Sequence, residues 1–396
     1  MKTSIYLDHA ATTRLHPKAL EAMRPYLDGA FGNPSGAYAL GKEAARAIED
    51  ARKTTATVLG CRPQEVVFTG PGTESINAAI KGVAFAQHFA GLGDHIVTSS
   101  IEHHAVLHSC DYLEKFGFDT TFLPVDSHGF LDPDEVARAI TDRTVLVSVM
   151  LANNEVGTIE PIAEIAAAVR ERAKTLKRRI AIHTDAVQGA NALDLNVERH
   201  GVDLLSLSAH KFGGPKGAGL LYIRRGTPFL SQQSGGGQER QRRAGTENVA
   251  AIVGTATALR EAQSYRLEYT KECRALTSRL IDGVVSAIPA ACLSGHPEQR
   301  LPNNAHFTFD GAESDAMLAA LDKHGVAASA GSACTSATWE PSHVLTAMDL
   351  PLSKAAAALR LTVGPENTED QIDRVLALLP TIVADSRATA THTSAK

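Results

Sequence analysis

Short, continuously apolar runs recur through the first two thirds of this chain, with helix-patterned stretches between them. They are EVVFTG (65–70), HIVTSS (95–100), TVLVSVM (144–150), IAIHTD (180–185), VDLLSLS (202–208) and GLLYIR (219–224). A strand with one wet face alternates apolar and polar residues, whereas an unbroken apolar run of this length suits a strand buried on both faces. PIAEIAAAVRERAKTL (161–176) illustrates the helical spacing between the runs. This alternation predicts an open, mainly parallel α/β sheet with helices on both faces.

The pattern changes near Thr246. A long helical stretch runs from Glu247 towards Ile288, with Val249, Ile252, Val253, Ala256 and Leu259 on one face. AHFTF (305–309), a helix near 313–324 and a final helix from about Thr368 follow; Thr368 and Gln371 fit a capping box. The expected organisation is a large α/β domain over residues 14–258 and a smaller α+β domain built from 1–13 and 259–396. The polar tail 386–396 is expected to fray.

A net charge of −5 argues against a broad basic surface, so no direct nucleic-acid contact is expected. No apolar stretch approaches the roughly 20 residues that cross a membrane. MKTSIYLDHAATT lacks the basic-then-apolar order of a secretory leader, so the expected address is cytoplasmic. The five cysteines are scattered and form no C-x-x-C pair, which fits reduced thiols. The histidines show no H-E-x-x-H spacing, and no metal is expected.

Several strand ends carry candidate chemistry. After the first run, Gly70-Pro71-Gly72-Thr73 opens a helix. Such a turn either binds an anion through backbone N–H groups and the Thr hydroxyl or is a plain capped turn. In SSIEHHAVL (99–107), a histidine just past a strand could stack on a flat ring or move protons, or could be structural. Asn153 and Asn154 of LANNEVG could be turn residues only. Asp185, at the end of IAIHTD, could hold a cationic ring nitrogen or cap a helix, with Gln188 in the turn behind it. SLSAHK places Lys211 directly after a strand, where a desolvated amine suits covalent capture of an aldehyde; Ser208 and His210 flank it and could touch a phosphate. Lys216, in the following Gly-Pro turn, reads as solvated. A lysine joined to an aldehyde and an aspartate under a pyridine nitrogen are the protein half of pyridoxal-phosphate chemistry. Finally, ASAGSACTSATWEPSHVL (328–345) sets Cys334 among small residues that give it little to pack against, as in an exposed loop. That makes it the reactive candidate among the five thiols.

Taken together, these motifs make the sequence resemble the cysteine desulfurases of the NifS/IscS type, enzymes of the class V aminotransferase fold. The resemblance runs from YLDHAATT (6–13) to ALRLTVG (358–364). It includes FGNPSGAY, GTESINAAI, EHHAVL, NNEVG, HTDAVQG, SAHKFGGPKG, GGGQERQRRAGTENV and CTSATWEPSHVL in the family's order, and AGSACTS matches the group with a long cysteine loop, here about 328–340. It departs from the usual pattern at His9, Pro71 and Ala209, and Pro71 removes one N–H from the anion turn.

The resemblance implies a pyridoxal-phosphate enzyme of fold type I with a seven-stranded-type sheet, acting as a homodimer. It implies that Lys211 carries the cofactor, Asp185 pairs with the pyridine nitrogen, and Gln188 and Asn154 bond near the ring hydroxyl. His103 would stack over the ring and assist proton transfer. Gly72, Thr73, Ser208 and His210 would hold the phosphate, with Thr246 reaching in from the second subunit. Asn33 and Arg360 would hold the substrate carboxylate. Cys334 would take the sulfur of L-cysteine as a persulfide and pass it to an acceptor protein, such as an iron–sulfur scaffold or a thiolation protein, leaving L-alanine. On the same fold the alternatives are a selenocysteine lyase or a class V aminotransferase; outside enzymes, the alternative is a non-catalytic sulfur-assembly scaffold.

Overall fold

The computed structural model describes residues 5–331 and 341–393, with side chains to residue 389. Twelve strands lie among the described residues: β1 (Ile5–Tyr6), β2 (Val66–Thr69), β3 (His95–Ser99), β4 (Asp119–Leu123), β5 (Thr144–Ser148), β6 (Ala181–Asp185), β7 (Leu204–Ser208), β8 (Gly219–Ile223), β9 (Ala291–Ser294), β10 (Asn304–Phe309), β11 (Val326–Ala327) and β12 (Ala358–Thr362). The central sheet has seven strands in the order β2-β8-β7-β6-β5-β3-β4. It is parallel except at β8, which runs against both β2 and β7. The six apolar runs are six of these strands. The seventh, β4, escaped the pattern because DTTFL is half exposed at the sheet edge, so no unbroken apolar run marks it.

Both faces of the sheet are covered, as continuous hydrophobicity requires. Val97, Val147, Ile182, Leu205 and Leu220 pack into one apolar centre. Ile96, Leu146, Ala181, Leu204 and Leu221, one residue out of step, pack into another under the helix Gly72–Phe89. A third centre lies around the antiparallel sheet β12-β10-β9.

The 39-residue helix Val249–Ala287 joins the first and third centres. At 1.5 Å per residue it spans about 58 Å. Ile252, Ala256 and Leu259 serve one end, and Cys273, Leu276, Leu280 and Val284 the other. Its start is fixed by Asn248, whose side chain accepts the N–H of Ala251 at 3.1 Å. The last helix runs Glu369–Thr393, so helix continues through most of the tail that its composition marks for fraying. Ile372, Val375, Leu379, Ile382 and Val383 hold that helix on the third centre. Only half of the capping box forms: Thr368 accepts the Gln371 N–H at 3.4 Å, while the Gln371 side chain accepts from Asn367 instead.

Candidate active site

Strands β2, β3, β5, β6 and β7 point the same way and end along one edge, at Thr69, Ser99, Ser148, Asp185 and Ser208. Open α/β sheets bind ligands at this edge. A cavity of about 310 Å³ opens there, within the range of small-molecule sites. Its wall includes Gly72, Thr73, His103, Asn154, Asp185 and Gln188, together with Ser208, His210, Lys211 and Arg360. Residues separated by almost the whole chain thus meet because the strands share a direction.

The anion turn is spare in donors. Pro71 offers no N–H, and that of Gly70 goes to Glu74 Oε2 at 2.8 Å. The N–H groups of Gly72 and Thr73 remain at the turn, and that of Gly72 meets Ser208 Oγ at 3.2 Å. A Cβ at position 72 would stand 2.8 Å from the Ser208 Cβ, so only glycine lets the turn close on β7.

Asp185 is buried, and desolvation pushes its carboxyl up to about 6, against the opposing pull of the Val187 N–H and Lys211. Its Oδ1 caps the turn by accepting the Val187 N–H at 3.0 Å, and the carboxyl still lines the cavity. Capping the turn therefore leaves the carboxyl at the cavity wall. Lys211 follows β7 by one 3₁₀ turn, and its Nζ donates to the carbonyls of Ala10 at 2.5 Å and Ala11 at 2.9 Å. Gln188 Nε2 reaches the same Ala10 carbonyl at 3.1 Å. Lys216 is exposed and stands apart from the cavity wall.

The paired asparagines of NNEVG separate cleanly. Asn153 is a turn residue: its Oδ1 accepts the N–H groups of Glu155 and Val156, while Asn154 faces the cavity. His103 caps the helix His104–Glu114 by accepting the Ala105 N–H at Nδ1, 3.0 Å away. That contact puts the proton of the neutral ring on Nε2. Burial, helped by Lys211 and the neighbouring histidines, holds the ring down to about 4, so it is uncharged at neutral pH. His210 is likewise held down to about 4 by burial and Lys211, and its Nδ1 lies 3.1 Å from Thr12 Oγ1.

Arg360 is buried. It donates to Asn154 O at 2.8 Å, Gly331 O at 3.0 Å and Asp8 Oδ1 at 2.8 Å. Its buried Nε has no hydrogen-bond partner among the described residues. Asn33 stands outside the cavity of its own chain, on an exposed segment where its side chain accepts the Ser35 N–H at 2.9 Å. Thr246 is exposed and also outside it. Cys334 lies outside the described residues. Of the other thiols, burial pushes those of Cys61, Cys110 and Cys273 up to about 12, which leaves them poor nucleophiles at neutral pH.

Sequence reasoning missed Asp8, Ala10, Ala11, Glu155 and His343, which border the cavity or hold its cation. All sit inside motifs that carry the resemblance, but a backbone carbonyl leaves no mark in residue type, and Glu155 is distinguished only by its burial.

Comparison with known proteins agrees with this layout. Residues 5–375 match the family model described as aminotransferase class-V. The chain belongs to the class-V aminotransferase family. It is 48% identical to a protein named cysteine desulfurase IscS from Methanosarcina thermophila, over 97% of this chain and 93% of the relative. Among solved structures, a NifS-like protein superposes with a TM-score of 0.89 at 37% identity, covering 96% of this chain and all of the other. SspA, solved in complex with cysteine, gives 0.80 at 34% identity over 92% of this chain and 100% of SspA. The cofactor of this class-V chain is pyridoxal 5′-phosphate. The cavity fits it: an N–H and hydroxyl cradle for a phosphate closed by Gly72, a buried carboxyl for a cationic nitrogen, and an amine beside them.

Proposed function

We propose that this class-V chain is a cysteine desulfurase that converts L-cysteine to L-alanine and carries the released sulfur on Cys334. One observation supports this above the rest: Lys211 and Asp185 share a cavity with Gly331, three residues before Cys334. Three residues of chain span at most about 11 Å, so position 334 is tethered to this cavity whatever its path.

Pyridoxal phosphate, when bound, supplies an electron sink for the pair released at the substrate's reacting carbons. Gly72, Thr73, Ser208 and His210 would hold its phosphate, and Asp185 would keep its ring nitrogen protonated. Asn154 and Gln188 would flank the ring hydroxyl. Lys211 would hold the cofactor through its aldehyde carbon, and its Nζ is the base placed to move the proton at the substrate's α-carbon. His103, a neutral imidazole with its proton on Nε2, would stack on the ring, so the burden of proton transfer falls on Lys211. Arg360 would receive the substrate carboxylate; its three hydrogen bonds leave Nε–H and one N–H of Nη2 as donors.

Cys334 acts as thiolate on the substrate sulfur. An S–S bond forms, the substrate C–S bond breaks, and its electron pair stays with the carbon that becomes the methyl group of alanine. The balance is L-cysteine plus thiol giving L-alanine plus persulfide.

Asn33 and Thr246 have no role within their own chain's cavity. Pro34 and Ser35 share a surface cleft with Gly237–Arg240 and Glu247, so both segments lie on one face. A second copy docked on that face would receive them, which supports a homodimer with Thr246 on the partner's phosphate. A reduced, cytoplasmic setting suits a thiol carrier, and its persulfide goes to an acceptor protein.

The test is alanine release from L-cysteine by the purified holoenzyme, with a thiol acceptor and no keto acid. Alanine formed in step with sulfide is expected. Alanine that appears only when a keto acid is added would make the chain an aminotransferase.

A further inference from the structure

The cavity holds one acidic group that the reaction above does not use. Glu155 is buried, and its backbone is fixed on both sides. Its N–H goes to Asn153 Oδ1 at 2.8 Å and its carbonyl accepts from Asn304 Nδ2 at 3.0 Å. The carboxyl therefore has a defined position. Its Oε2 accepts the Ser342 hydroxyl at 2.5 Å. Ser342 in turn caps the helix His343–Ala347, accepting the Leu345 N–H at 3.2 Å.

The same oxygen backs Gly331. A Cβ there would stand 3.1 Å from Glu155 Oε2 and 3.3 Å from His306 Nε2, and the backbone has φ +116°. The backbone thus favours glycine, and a side chain there would also press on the carboxyl. Arg360 draws the Gly331 carbonyl to the same turn, at 3.0 Å, through the guanidinium nitrogen that also holds Asn154 O. One turn, residues 153–155, therefore fixes residue 331 on one side and residue 342 on the other. Burying a carboxyl costs free energy that a single hydroxyl donor offsets only in part. Arg360 and His104 are the charges that favour its ionised form.

We propose that Glu155 is a positioning residue for sulfur transfer: by fixing Ser342 and backing Gly331 it sets the two points between which residues 332–340 run, and so the approach of Cys334 to the cavity. The proposal rests on the desulfurase reading. It assigns Glu155 no contact with substrate or cofactor, so its removal should slow sulfur transfer and spare the steps before it.

The experiment is single-turnover persulfide formation on Cys334 in the full-length holoenzyme, with L-cysteine as substrate. It is read by the mass gain of one sulfur on the peptide carrying Cys334. Glu155→Ala and Ser342→Ala should each slow that step about tenfold or more, the scale of a misplaced reacting group. The double variant should be slowed by less than the product of the two single effects, because the two share one contact. Cofactor affinity and the spectral change on cysteine binding should stay within about twofold of wild type. Ser342→Thr, which keeps hydroxyl and cap, should recover most of the rate lost in Ser342→Ala. If Glu155→Ala fails to fold, the Ser342 pair alone decides. Wild-type rates in the alanine variants would overturn the proposal, as would a loss that tracks cofactor affinity. A wild-type enzyme that releases alanine but gains no sulfur on Cys334 would fail differently: it would remove Cys334 as the sulfur carrier, and the proposal with it.

Discussion

The floor and the rim of the cavity are built on different principles. Every functional group of the floor stands within a few residues of a buried strand end, and strand direction alone brings the groups together. Asp185, Ser208 and Lys211 need no further element to aim them. The rim is carried by segments without sheet support. Thr246 ends a stretch in which Glu239, Arg240 and Gln241 all have positive φ, at 47°, 57° and 65°. Left-handed backbone costs roughly 1–2 kcal/mol per residue outside glycine, so something must hold it. The buried Arg52 does, gripping Glu239 through two bonds of 2.7 and 2.8 Å while Phe68 N–H donates to the same carboxylate. Arg243 adds a bond of 2.9 Å to Glu74, beside the anion turn. Electrostatic groups that must be rigid before the ligand arrives sit on the sheet. The rim groups are displayed outward, on strained turns pinned at their base, where a second copy can meet them.

The largest expected effect comes from the floor. Lys211→Ala should lower turnover by on the order of 10³-fold or more, the scale of a lost general base, and abolish the absorbance of covalently held cofactor. Unchanged absorbance would move the cofactor to another amine, such as Lys216, and break the claim that strand ends place the chemistry.

Asp185 gives a pH test of intermediate size. Its carboxyl titrates at about 6 in the folded chain, against about 4 for a free aspartate. The buried group thus prefers its proton, and without the cofactor it withdraws stability as pH rises from about 4 to about 6, by roughly 3 kcal/mol when fully ionised. A cationic ring nitrogen against it reverses that preference. Thermal unfolding with and without cofactor should therefore show a larger gain in Tm at about pH 7.5 than at about pH 5. Asp185→Asn should flatten the difference; an equal gain at both pH values in the wild type would remove Asp185 from the ring nitrogen.

The smallest effect sharpens the rim. Thr246→Ala should weaken cofactor binding only a few-fold, the scale of one hydrogen bond. Mixed dimers of Thr246→Ala and Lys211→Ala chains should carry one impaired phosphate site and one intact site. Normal cofactor affinity in Thr246→Ala would leave that residue without a place on the phosphate.

The same division explains what the sequence discloses. Strands β2, β3, β5, β6, β7 and β8 announce themselves because burial on both faces demands unbroken apolar runs, and Asp185 and Lys211 follow from their position at the ends. The edge strand β4 carries no such run. Ala10 and Ala11 act through backbone carbonyls, which any residue could supply. Glu155 carries no signal in the sequence, and only the structure shows it buried against Ser342 and Gly331. Asn33 and Thr246 were named through resemblance alone, and the described chain leaves both outside its own cavity.

The account stands or falls on whether the amine at 211 and the thiol at 334 serve one cavity. Holoenzyme mixed with limiting L-cysteine carrying labelled sulfur, quenched after one turnover, answers this directly. The expected result is one alanine released for each labelled sulfur found on Cys334, with neither formed by Cys334→Ala although it still binds cofactor and cysteine. Alanine released at the wild-type rate by Cys334→Ala, or label on a different thiol, would contradict it.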